Sequence, residues 1–165
     1  MLRVSGNVED AVARHADAVA TVRAFAQRSG ALRVVLLIDS GEGVVTMLDC
    51  ASGALELTEA GHSVTIPAGT PVAAAPRPLP DLRPPPPTAL AIDPETGELE
   101  APLGAVANLG RAVLGLARAF GGRSVATADF ATRDPELPVT IAARDGERLV
   151  LAAGDRRFVL PDVVR

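Results

Sequence analysis

Between Val8 and Arg28 the positions Val12, His15, Val19, Val22 and Phe25 recur at 3.6-residue spacing, which predicts one amphipathic helix. Asn7 suits its N-cap, Glu9 and Asp10 suit the positive end of its dipole, and Gly30 supplies a stop. Ahead of it, Met1 to Ser5 alternates in the manner of a short strand. Behind it the period drops to two. Leu32 to Asp39 and Gly43 to Cys50 read as strands about the turn Ser40-Gly41-Glu42, and Ala54 to Thr58 and His62 to Ile66 as strands about Ala60-Gly61.

The same alternation of periods returns further on. Thr88 to Ile92 and Glu98 to Ala101 flank the turn Asp93-Pro94-Glu95-Thr96-Gly97. A helix follows whose apolar stripe is Val106, Leu109, Val113, Leu116 and Phe120, ended by Gly121-Gly122. Strands over Ser124 to Ala131, Val139 to Arg144, Arg148 to Ala153 and Arg157 to Leu160 complete the pattern. Both halves therefore read as β-α-β-β-β-β, an α+β fold with two helices on antiparallel sheet.

The halves also match residue by residue. Ala11-Val12-Ala13 and Ala105-Val106-Ala107 stand 94 positions apart, as do Val45-Thr46-Met47 and Val139-Thr140-Ile141, Leu55 and Leu149, Leu57 and Leu151, and Ile66-Pro67 and Leu160-Pro161. One displacement kept across a helix and three strands points to internal duplication with pseudo-two-fold symmetry. Between the halves the chain changes character, because ten of its 14 prolines lie from Pro67 to Pro94. Proline removes backbone donors and favours extended polyproline geometry, so residues 68–87 read as a semi-rigid linker between a first repeat, 1–67, and a second, 88–165.

Composition narrows the functional classes. The 165 residues are 48% hydrophobic and 22% charged, enough for a real core without disulfide or metal. One cysteine, Cys50, excludes an internal disulfide and no Cys/His spacing fits zinc, which suits a reducing cytoplasm. Met1 to Asp10 has no apolar export core and no window approaches the ~20 apolar residues that span a bilayer, so the expectation is a soluble chain. Four Phe with neither Trp nor Tyr leave no stacking platform for single-stranded nucleic acid. A net charge of -4, with arginine as every basic residue, argues against a generally basic coat.

The tandem of strand, helix and four antiparallel strands resembles one domain of the DNA sliding clamps. Its best local matches are Gly97-Glu98-Leu99-Glu100-Ala101-Pro102-Leu103 entering a helix and Val139-Thr140-Ile141-Ala142-Ala143-Arg144-Asp145-Gly146 entering a strand. The resemblance implies paired helices on one side of the sheets, and edges that meet other edges in an assembly. It also implies basic helices turned toward duplex phosphates. Ala101 to Ala128 holds no acid and three arginines, of which Arg111 and Arg118 share one helix face, with Arg23 as the repeat counterpart of Arg118. These three are the candidate DNA-contacting residues. An alternative is a profilin-like module of the roadblock or GAF kind, which would place its helices on opposite faces of one sheet.

The remaining candidate chemistry reads as ordinary structure. His15 replaces the Leu109 of the other repeat and is expected to be a half-buried, hydrogen-bonded histidine. His62 with Glu56 and Asp49 is a candidate metal set of the vicinal-oxygen-chelate type, but Asp155 or Arg156 in the second half does not complete a symmetric one. Cys50 has no cation beside it in sequence to activate its thiol. Ser40-Gly41-Glu42-Gly43 leads into a strand instead of a helix, so it is a turn and not a phosphate cradle. Asp134 and Glu136 are expected to be solvated turn acids. The expectation is a non-enzymatic protein with no cofactor and no metal, acting on a protein partner or on its own copies through sheet edges such as Val159-Leu160, with DNA a lesser prospect.

Overall fold

A computed structural model of the chain describes residues 4–39, 43–50, 53–81, 91–93, 95–96, 99–100, 103–121, 123–134, 136–153 and 156–159. Eight antiparallel strands form one sheet in the order β10-β9-β8-β7-β1-β2-β3-β4. They are β1 (Arg33–Asp39), β2 (Val44–Cys50), β3 (Leu55–Glu59), β4 (His62–Ile66), β7 (Val125–Phe130), β8 (Val139–Arg144), β9 (Val150–Ala153) and β10 (Arg156–Val159). The protein is α+β. Strand order runs outward in both directions from the β1/β7 seam, where Arg33 pairs with Asp129, Val35 with Thr127 and Leu37 with Val125.

Period-two alternation dictates which face is covered. Val34 and Leu36, Met47, Leu55 and Leu57, Ala126 and Ala128, Ile141, and Leu151 all point to one side and are almost fully buried there. Helices α1 (Val4–Arg14), α2 (Ala16–Ser29) and α3 (Leu103–Arg118) cover that side. The stripe Val19, Val22 and Phe25 of α2 and the stripe Leu109, Val113 and Leu116 of α3 join the strand residues in a single hydrophobic cluster that spans both halves of the chain. Gly30 ends α2 in the left-handed conformation, φ 69°, and its N–H closes on the Ala26 carbonyl at 3.1 Å.

Three expectations need correction. Val4 and Ser5 belong to α1 and not to a strand, and Asn7 lies inside that helix instead of capping it. The single helix expected over Val8 to Arg28 is two, parted at His15, whose φ of -122° and ψ of 31° leave the helical well. Hydrogen bonds continue on both sides of the break, from His15 N–H to Ala11 O at 3.0 Å and from Val19 N–H to His15 O at 2.9 Å, so the apolar stripe is kept across it. The short pair β5 (Ala91–Ile92) and β6 (Leu99–Glu100) forms a separate two-stranded sheet and adds nothing to the main one. The turn Ser40-Gly41-Glu42, the last six residues of the linker (82–87), Gly122 and Leu160 lie outside the described residues.

Residues 67–81 are not a free spacer. Arg23 donates to Pro67 O and Thr70 O, both at 2.7 Å, and Val72 and Leu79 pack on the core. The Arg77 guanidinium holds Asp17 on α2, from Nε at 2.8 Å, and also donates to the Ala119 carbonyl beyond α3. It stacks 4.2 Å from the Phe120 ring centre, while the Arg77 N–H reaches Thr21 Oγ1 at 2.9 Å. Farther along, Asn108 on α3 donates to Asp81 O at 3.0 Å. The segment is a strap laid across α2 and α3.

Candidate functional site

The β3–β4 hairpin turns through Ala60 (φ 51°) and Gly61 (φ 80°), two consecutive left-handed residues, and so sets Glu59 directly opposite His62. Glu59 reaches back to the helix break. One of its carboxylate oxygens lies 3.0 Å from His15 Nε2, and the other accepts from Arg14, which also holds Asp10 at 3.0 Å. Burial alone would push the Glu59 carboxyl up; hydrogen bonds and charge from Arg14 and His15 outweigh it and hold the group below its ordinary value. Arg14 is raised in turn, chiefly by its hydrogen bond to Glu59.

These groups sit at one end of a cleft of about 1160 Å³ beneath α1 and the start of α2. Ile38, Leu57 and Val64 floor it, while His15, Glu59, His62, Asp17 and Arg77 supply polar atoms and Phe120 closes a side. The carboxylate orients the imidazole, the usual second-residue arrangement of a proton acceptor. Among the described residues lining the cleft none carries a hydroxyl or thiol.

The opposite side of the sheet is bare of described helices. Register carries one row across all eight strands: Thr65, Glu56, Leu48, Val35, Thr127, Ala142, Val150 and Val159. From Leu48 to Val159 that row is aliphatic save for Thr127; Leu37, Val125 and Ala152 stand beside it, and so do the polar Thr46, Arg33, Asp129, Thr140, Arg144 and Arg157. The β3–β4 end is polar, with Thr58, Ser63 and Thr65 on the same face. Val159 on the edge strand β10 is 57% exposed.

Arg111, Arg118 and Arg23 are not gathered into one open cationic face. Arg23 is spent on the strap carbonyls, Arg118 holds Asp145 at 2.8 Å, and Arg111 is exposed in the middle of α3. His62, Glu56 and Asp49 do not converge either. Asp49 faces the helices opposite Leu55, Glu56 faces away opposite Leu48, and His62 lies at the other end of β4 from the partner of Glu56, Thr65. No group of three or more possible metal ligands occurs among the described residues. His15 is half-buried and hydrogen-bonded, as its register indicates. Asp134 and Glu136 are exposed, and Asp134 accepts the Glu136 N–H at 3.0 Å within its turn. Cys50 closes β2.

Sequence reasoning missed Glu59, Arg14 and Arg77. The Glu-Ala-Gly-His hairpin carries a usable signal for the first, since a two-residue turn always pairs the residues that flank it. Arg77, a cation set among prolines, gives no sign of its partner Asp17, 60 positions away. No protein-family model, no curated protein and no solved structure matches the chain. No helix among the described residues is long and apolar enough to cross a membrane.

Proposed function

We propose that this chain is a non-enzymatic binding or assembly protein of clamp-like arrangement, which works through the bare face and the edges of its sheet. The observation that carries the reading is the aliphatic row from Leu48 to Val159 on the face opposite the helices. A sheet face turned to water normally alternates to polar residues, as the β3–β4 end does here, and a contiguous apolar strip on a surface marks a contact site. The side-by-side placing of α2 and α3 on one face favours the clamp-like arrangement over the profilin-like one. Duplication of one unit would account for the constant displacement of 94 between matched residues. The β10 edge, with Val159 beside Arg157, offers backbone groups that can extend such a contact.

A photo-crosslinking residue placed at 150, on the aliphatic half, tests this in living cells against the same residue at 58, on the polar half. Discrete protein adducts from position 150 and none from position 58 are expected. Equal adducts from both positions, or none from position 150, would overturn the reading.

A further inference from the structure

We infer that the outer face seats a second copy of this chain, related by a two-fold axis that runs along the aliphatic row; this rests on the reading above that the face is a binding surface. Such an axis makes the face its own counterpart. Turning a copy about the row lays Thr127, Ala142 and Val150 over themselves and reverses the strand direction. Each residue two positions to one side of the row then meets the residue two positions to the other side. By register, Arg144 comes to face Thr140, Val125 to face Asp129, and Leu37 to face Arg33. None of these pairings sets like charges against each other, and Arg144 arrives next to the strand bearing the partner's Asp129. An axis parallel to the strands at the β1/β7 seam does worse, because it would set Val150 and Val159 against the hydroxyl-rich face of β3 and β4.

Size sets the strength. Six strands at roughly 4.8 Å spacing, each about five residues long at roughly 3.3 Å, give a contact on the order of 500 Å² per copy. Stable specific interfaces bury roughly 800 Å² per partner, so this dimer should be weak and should dissociate on dilution. Facing sheets stand about 10 Å apart, too far for a disulfide between equivalent residues but within reach of a short bifunctional thiol reagent. Val159, exposed at the end of the row, meets its own copy at the rim, where such a reagent can enter.

Sedimentation velocity of the full chain from low micromolar to sub-millimolar concentration is the first measurement. A monomer–dimer equilibrium is expected, lost in Val150→Lys and kept in Arg111→Glu, which alters the helix face. In a Cys50→Ala background, Val159→Cys should form a covalent dimer with a bis-maleimide spanning about 10 Å, whereas Arg111→Cys should not. This second variant keeps the test valid if Val150→Lys does not fold. A chain that stays monomeric at every concentration, or a dimer that survives Val150→Lys and is not captured through residue 159, overturns the inference. If the chain is monomeric and position 150 still crosslinks a different protein in cells, the binding-surface reading stands and only the second copy is refuted. If it is monomeric and position 150 captures nothing, both fall.

Discussion

The ring of Pro80 lies on Gly115, so close that a β-carbon at position 115 would sit 2.5 Å from the proline Cδ. Two effects therefore compete in Gly115→Ala. Alanine favours a helix interior over glycine by about 1 kcal/mol, while overpacking a filled contact costs about 1–3 kcal/mol. The clash is with a ring held in a strap that is itself pinned at Arg23 and Arg77, so overpacking should win. The expected outcome is a lower midpoint of thermal unfolding together with faster proteolysis between residues 70 and 81. A variant more stable than the parent, with unchanged proteolysis, would show that the strap is not seated there.

Glu59 predicts a pH dependence with a definite sign. Its carboxyl titrates lower in the folded chain than in the unfolded one, so the folded state binds the proton less readily. That stabilisation is complete above the ordinary carboxylate range and is lost as pH falls through the folded value. Denaturant midpoints of the parent and Glu59→Gln should therefore differ near neutral pH, in favour of the parent, and converge in acid. A difference that is constant with pH would rule out the linkage.

Ala60 occupies a left-handed position at φ 51° that alanine adopts poorly. Asparagine tolerates that conformation, and with Gly61 it completes the sequence most favoured in a two-residue hairpin. Ala60→Asn should raise stability by about 0.5–1 kcal/mol, read from equilibrium denaturation. No gain would mean that the turn relaxes away from this geometry at little cost.

The strands were legible because alternation is a local property. Val34 and Leu36, Leu55 and Leu57, and Ile141 show their buried face within a few residues of chain. The helix stripes were legible for the same reason, but the break at His15 was not. Its hydrogen bonds persist on either side, and no proline or glycine marks it, so the spacing of Val12, His15 and Val19 reads as one straight helix. The strap was legible only as an absence of regular structure, since prolines forbid a ladder without saying where the chain must lie. Its place comes from contacts such as Arg77 with Asp17 and Pro80 with Gly115. The cleft and the aliphatic row depend on partners distant in sequence, His15 with Glu59 and Val35 with Thr127, which no local pattern encodes.

The β1/β7 seam makes connectivity, and not pairing chemistry, decide which halves come together. Each strand is the innermost of its half, and the antiparallel hydrogen bonds between them would be the same if the two strands came from different molecules. Closure within one chain is then a matter of effective concentration, set by the path of the strap between the halves. A strap held down over α2 and α3 keeps each half beside its own complement.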